Sequence, residues 1–205
     1  YLFLEGLHGG YAPQGITVQR RIVAVSFDLF AVCDTFLGSM PEEIIQSFHF
    51  GEGIRLARTG DGVEGRGRKC RFAVKSFAKG EIASQELGTF TISRHYNQLG
   101  ERASLRVRGK DARTLTTFLI RRQGDMDVSI LPEPVVNAVS GQALKAEEAE
   151  GYMAVCGKEK IGLVFLHSEA GNARDYNGIG GICGLGRTMA CRLSQNPGRM
   201  TVLQW

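Results

Sequence analysis

Along most of the chain, apolar residues recur at every second position in short runs broken by Gly and Asp, a pattern that predicts strands and not helices. Between Gly15 and about Arg122, helical periodicity is nearly absent. Ile16–Val25 and Leu29–Asp34 flank a brief Ser26-Phe27-Asp28 reversal, as the arms of a hairpin do. Ile44–Phe50 and Ile54–Ala57 surround Gly51-Glu52-Gly53, which predicts a second hairpin. Thr59-Gly60-Asp61-Gly62 then supplies residues that tolerate positive φ for another tight reversal. Further runs follow at Lys69–Val74, Gly88–Ser93, Ala103–Arg108 and Thr114–Ile120. In the third of these, Leu105 and Val107 alternate with Ser104, Arg106 and Arg108, so a strand turns the apolar pair inward and makes the other face cationic. The expected fold class is all-β, an antiparallel two-layer β-sandwich.

The alternation breaks between Arg121 and Glu150, at Asp125, Asp127, Pro132 and Pro134, and Lys145–Glu150 is mostly polar. This predicts a sandwich over residues 1–122, a linker or irregular segment over 123–150, and a smaller β region over 151–205. In the last region Tyr152–Cys156 and Ile161–His167 read as a hairpin turning at Gly157–Lys160, and Met200–Leu203 as a final strand.

Length and composition admit a folded chain of one or two domains: 205 residues with 43% hydrophobic content can bury a core. No stretch approaches the roughly 20 apolar residues of a membrane helix, and the amino terminus lacks signal-peptide order, so no membrane partner is expected. The chain opens on Tyr1-Leu2-Phe3-Leu4, an apolar run typical of a strand interior, so the expectation is a piece of a longer precursor. The five Cys are scattered, with no CxxC pair and no Cys/His spacing for zinc, and read as small buried hydrophobes. A net charge of +4 is too small to indicate nucleic acid. Arg outnumbers Lys, however, and the planar guanidinium grips carboxylates and sulfates bidentately, which suits an anionic polymer.

The run Asn177–Arg187 is rich in Gly and invites a nucleotide-binding reading. Its spacing fits neither a dinucleotide fingerprint nor a phosphate loop, and no β-α-β alternation frames it, so a tightly turned loop is expected. The four His (His8, His49, His95, His167) are isolated in sequence, and no nucleophile triad, carboxylate pair or metal cluster assembles from spacing. His8 stands beside two glycines and Tyr11 and is the best His for ligand contact.

Taken in order, Leu7-His8-Gly9-Gly10-Tyr11, Val18-Gln19-Arg20-Arg21, Ala31–Gly38 and Phe48–Ile54 resemble a stretch of the heparinase II/III-like polysaccharide lyases. That stretch runs His-Asp-Gly-Tyr, basic-Arg-Arg, Asp-x-x-x-Gly and His-Phe-x-Pro-Gly-Val. Ser93–Ala103 and Arg113–Ile120 resemble later parts of the same domain, so the likeness covers roughly residues 5 to 122. Gly9 stands where Asp is usual and Glu52 where Pro is usual; neither disturbs the strand pattern.

The resemblance implies the carboxy-terminal β-sandwich of a lyase that cleaves an acidic, uronate-containing glycan by β-elimination. Such lyases carry their catalytic Asn or His and Tyr on a helical toroid, and a Gly-His-x-His-x-Asp motif upstream of this region. The implied partners are therefore an acidic polysaccharide and an upstream helical toroid domain of the same parent, with no nucleic acid, no cofactor and no metal. A bacterial parent would imply a periplasmic or secreted location. No catalytic residue is assigned to this chain, and His8, Tyr11, Arg20 and Arg21 are the candidate substrate contacts. Two rivals stand beside this reading: a non-catalytic carbohydrate-binding module, and a nucleotide-binding domain built on the glycine run.

Overall fold

The structure, a computed structural model, describes residues 2–26, 28–60, 62–79, 81–95, 98–122, 128–156, 159–167, 175–193 and 200–204. The chain divides into two units, Tyr1–Gln123 and Gly124–Trp205. No α-helix occurs among the described residues, and every strand pairing is antiparallel. The fold class is all-β, as the alternating pattern predicts.

Unit 1 contains β1 (Leu2–His8), β2 (Ile16–Ser26), β3 (Leu29–Gly38), β4 (Glu43–His49), β5 (Arg55–Thr59) and β6 (Gly62–Arg66). It continues with β7 (Arg71–Ala78), β8 (Glu81–Ile82), β9 (Ser84–His95), β10 (Gln98–Lys110) and β11 (Thr114–Arg121). The large sheet runs β1-β2-β3-β11-β7-β6-β5 with β8 on β7, and the small sheet runs β4-β10-β9. Between them lies a core of Ile44, Leu105 and Val107 from the small sheet and Val63, Val74 and Leu115 from the large one, with Phe36, Phe48 and Phe72 packed against it. Leu105 and Val107 are fully buried, as their alternation requires.

Two expectations need correction. Ile44–Phe50 and Ile54–Ala57 do not pair with each other: β4 pairs with β10, Phe48 opposite Leu105, whereas β5 pairs with β6. Gly51-Glu52-Gly53 carries the chain from one layer to the other, and Gly53 takes the left-handed φ of 74° there. A turn-forming triplet marks a reversal; it does not choose between a partner in the same sheet and one in the facing sheet. Nor is the outer face of β10 simply cationic. Arg108 bonds Glu43 (2.8 Å) and Glu86 (3.1 Å), and Arg102 lies 3.2 Å from Glu52, so its guanidiniums alternate with carboxylates.

Unit 2 contains β12 (Val128–Glu133), β13 (Val136–Asn137), β14 (Ala149–Cys156), β15 (Glu159–Leu166), β16 (Asn177–Ile179), β17 (Ile182–Gly184), β18 (Thr188–Leu193) and β19 (Met200–Gln204). They form a sheet β12-β14-β15-β18-β19 and a smaller one β13-β16-β17 around Val135, Met153, Val164, Leu166 and Ile179. The segment expected to be irregular thus supplies β12 and β13. Pro132 sits within β12, which pairs on one side with β14; an edge strand accommodates a residue that lacks an N–H. The glycine run folds as the β16–β17 hairpin, turning at Gly180 (φ 58°) and Gly181 (φ 81°). Two successive positive φ values are what a tight primed turn demands, and no helix end faces a phosphate there.

Candidate functional site

The even-numbered residues of β2 share one face because strand side chains alternate. Ile16, Val18, Arg20 and Ile22 line a groove of about 760 Å³ in unit 1, a volume in the range of ligand sites. β1 adds Leu4, Gly6 and His8, which stand in register with Ile22, Arg20 and Val18. Asp34 and Phe36 of β3, Pro41 ahead of β4 and Glu43, Ile44 and Ile45 at its start add to the lining, as does Glu5 of β1. Gly6 is opposite Arg20, and a Cβ there would meet open space, so the absent side chain keeps the groove clear above the guanidinium.

His8 is positioned by its own loop. The Gly10 N–H donates to His8 Nδ1 at 2.8 Å, which in the neutral ring puts the proton on Nε2. The Tyr11 ring stacks on it, with centroids 5.8 Å apart and planes at 24°. Tyr11 in turn begins a single 3-10 turn, Ala12–Gln14, closed by Gly15 at φ 73°, and its carbonyl accepts the Ile16 N–H at 3.1 Å. The short connection between β1 and β2 therefore presents an imidazole N–H, an aromatic face and a phenol together at one end of the groove.

Arg20 supplies the cation. It stands directly opposite Asp34 and donates from Nε and Nη2 to the two carboxylate oxygens, each at 2.6 Å. Gln46 Nε2, from the facing layer, donates to the same carboxylate at 2.9 Å. Asp34 is 2% exposed, while half of the Arg20 side chain remains accessible. The carboxylate raises the pKa of Arg20, against an opposing effect of burial. Asp34 occupies Nε and one Nη2 hydrogen, so the Nη1 side of the fork can still donate to a ligand carboxylate or sulfate. Glu43, also on the groove wall, accepts from Arg108 Nη1 at 2.8 Å, so its charge too is compensated.

His8, Tyr11 and Arg20 thus come together in one groove. Arg21 does not join them. As the next residue on β2 it points to the opposite face, is 1% exposed, and donates from Nη2 to Thr35 Oγ1 at 2.9 Å. His49 stacks on Phe90 at 4.2 Å outside the groove lining, and His167 is buried in unit 2, 3.9 Å from Glu150, which accepts from the Tyr152 hydroxyl at 2.9 Å. The side chain of His95 lies outside the described residues. Asp34, Gln46 and Phe36 are site residues that sequence spacing did not single out.

No family model matches this chain, and no curated protein matches it. Among solved structures the chain is similar to heparinase III, with a TM-score of 0.58 and 14% sequence identity over 80% of this chain. The matched part is 25% of that protein, so the chain spans about a quarter of its length. A match over 80% of 205 residues is longer than unit 1, Tyr1–Gln123, and so takes in strands of unit 2, beyond the part where the sequence itself carries a likeness. The shared property at this identity is the fold.

Proposed function

We propose that this chain is the β-sandwich portion of a heparinase II/III-like polysaccharide lyase, holding an acidic, uronate-containing glycan while the chemistry is done elsewhere in the parent protein. The observation that carries this reading is the convergence of His8, Tyr11 and Arg20 in one groove of a heparinase III-like fold. Each supplies something a glycan site needs. The Tyr11 ring offers an apolar face to a pyranose, His8 Nε2–H a donor to a hydroxyl or carboxylate, and Arg20 a fork for the uronate carboxylate.

β-Elimination needs the uronate carboxylate neutralised, a base at the adjacent carbon and an acid for the leaving oxygen, all within one cleft. Arg20 can contribute to the first. The base and acid are assigned to an upstream helical toroid domain, in keeping with a likeness that spans a quarter of heparinase III. The rival, a binding module with no catalytic parent, is favoured by the carboxylates of Glu5, Asp34 and Glu43 in the groove lining, which outnumber the Arg20 guanidinium.

The test is to incubate the purified chain with heparin, heparan sulfate and alginate and to follow unsaturated product by ultraviolet absorbance, with binding measured in parallel. Binding without turnover is expected. Robust product formation would mean that His8, Tyr11 and Arg20 are themselves a catalytic set, and absence of binding would remove the glycan reading.

A further inference from the structure

The chain's net charge of +4 is concentrated in one place. Residues 55–71 carry six basic residues (Arg55, Arg58, Arg66, Arg68, Lys69, Arg71) and two acidic ones, leaving 19 of each sign elsewhere. The fold then aligns three of them. Arg55 pairs directly with Arg66, and Arg66 directly with Arg71, so three guanidiniums stand in a row on one face of β5, β6 and β7. Successive members are separated by the strand spacing of about 4.8 Å. The Arg122 N–H bonds the Arg71 carbonyl at 2.7 Å, which continues the row just past the end of β11, and Arg122 Nε is buried with no hydrogen-bond partner among the described residues. At the β6–β7 turn, closed by the Gly67 N–H to the Cys70 carbonyl at 2.8 Å, exposed Arg68 and Lys69 flank the row.

Like charges directly opposite one another weaken a sheet, so the row calls for an explanation. Edge protection is the ordinary one, since basic residues on an edge strand discourage sheet-to-sheet pairing. It accounts for Arg55 on β5; it does not account for Arg71 on the interior strand β7. Glu64 is the acidic residue bonded within the row: it accepts from Nε of both Arg66 and Arg71. Arg66 is bonded through Nε while its side chain is 66% exposed, and a guanidinium held in this way grips a sulfate or carboxylate with its paired Nη edge. On the same face Ala57 and Ala73 stand between the charges, and Phe77, further along β7, is buried, so the ring is not open to stacking bases, which favours a glycan over a single-stranded nucleic acid.

We propose that Arg55, Arg66 and Arg71, with Arg68 and Lys69 at the turn, form a second binding strip for a sulfated or carboxylated glycan, on different strands from the groove. The identity of the anion as a glycan rests on the functional reading above; the strip itself rests on the arginine register. A glycan chain bound there lies across β5, β6 and β7, with successive acidic groups meeting successive guanidiniums. Because the strip is exposed, its affinity falls with salt.

Equilibrium binding of a heparin octasaccharide to the full chain at low and at physiological salt tests this. The triple variant Arg66→Gln/Arg68→Gln/Lys69→Gln is expected to lose about tenfold or more in affinity and to flatten the salt dependence. The charge-removing control Arg106→Gln/Lys110→Gln, on the other sheet, is expected to stay within about twofold, in line with unpaired surface charges. Equal weakening by both variants would overturn the strip in favour of net charge. Unchanged affinity in the triple variant, with loss in His8→Ala/Tyr11→Ala, would overturn it and leave the groove reading standing. Retained strip binding with an unoccupied groove would do the reverse. Single-stranded DNA of matched length that binds as tightly as heparin would overturn the glycan assignment. A readout on the unmutated chain avoids any folding defect of the variants: heparin should slow alkylation of exposed Cys70, inside the turn, and leave exposed Cys183 unaffected. Equal rates at Cys70 with and without heparin would also overturn the proposal.

Discussion

Arg20 and Asp34 face each other in direct register across β2 and β3, and the carboxylate takes two guanidinium hydrogens at 2.6 Å each. Through Gln46, the same carboxylate also ties the large sheet to the small one. The pair therefore does two things: it holds the groove's cation in a fixed orientation, and it joins the two layers beside the core.

Asp34→Ala should destabilise unit 1 by about 2–3 kcal/mol, because it leaves the buried Gln46 amide without its acceptor and removes charge-assisted bonds. Arg20, half exposed, can turn to water and adds little to that cost. Asp34→Asn, which keeps an acceptor, should cost less. Urea denaturation of the three proteins checks the order, and an Asp34→Ala variant as stable as the parent would contradict it.

Gly10→Ala should weaken glycan binding without unfolding the chain. A Cβ at Gly10 would lie 2.2 Å from His8 Cε1, so the imidazole must swing away and break its bond with the Gly10 N–H. Calorimetric affinity should fall while the melting temperature stays nearly constant. A normal affinity would show that the ring orientation is irrelevant.

The hairpin of β2 and β3 was legible from its turn, yet its register was not. Ala24 pairs with Phe30, but Ser26 pairs with Leu29, so one extra β2 residue, Val25, bulges out between them. Counting back from the turn without that bulge would set Arg21 opposite Asp34, and with it the wrong arginine in the groove. The sequence offers two adjacent arginines with equal claim; a one-residue shift decides which is a ligand contact and which is buried. Strand existence and parity were readable at Leu105 and Val107, where the alternation is strict. The exchange of β4 and β5 between layers was not, because it depends on β10, more than fifty residues away in sequence.

Leu105→Ala, at a fully buried position between the layers, should cost about 2–5 kcal/mol by lost burial and cavity formation. Leu99→Ala, on the same strand but 77% exposed, should change stability by no more than about 0.5 kcal/mol. Chemical denaturation of both variants checks which part of β10 lies over the core. Equal effects would contradict it.

The Glu64 carboxyl is held down to about 2, against an ordinary 4.5, by its bonds from Arg71 and Arg66. A depressed folded-state pKa stabilises the fold fully above the unfolded value, and the contribution is lost as pH falls from about 4.5 toward about 2. The Glu64 carboxyl carbon, followed by NMR, should titrate near the lower value and move upward in Arg71→Gln. A midpoint unmoved by that substitution would refute the pairing.

Thiol reagents should modify Cys70 and Cys183 in the native chain and spare Cys33 and Cys191 until it unfolds. Burial pushes the Cys191 thiol up, which removes the reactive thiolate as well as access to it. Peptide-resolved mass spectrometry after brief alkylation gives the order directly. Early labelling of Cys191 would contradict the packing of β18 against β15.

The most direct test of the account is where an unsulfated uronate oligosaccharide touches the isotopically labelled chain. Titration by NMR should shift the His8 ring, the Tyr11 ring and the Arg20 Nε–H most strongly and leave buried Arg21 nearly still. Perturbations that leave those three groups untouched, or no perturbation anywhere, would contradict the groove as the glycan site.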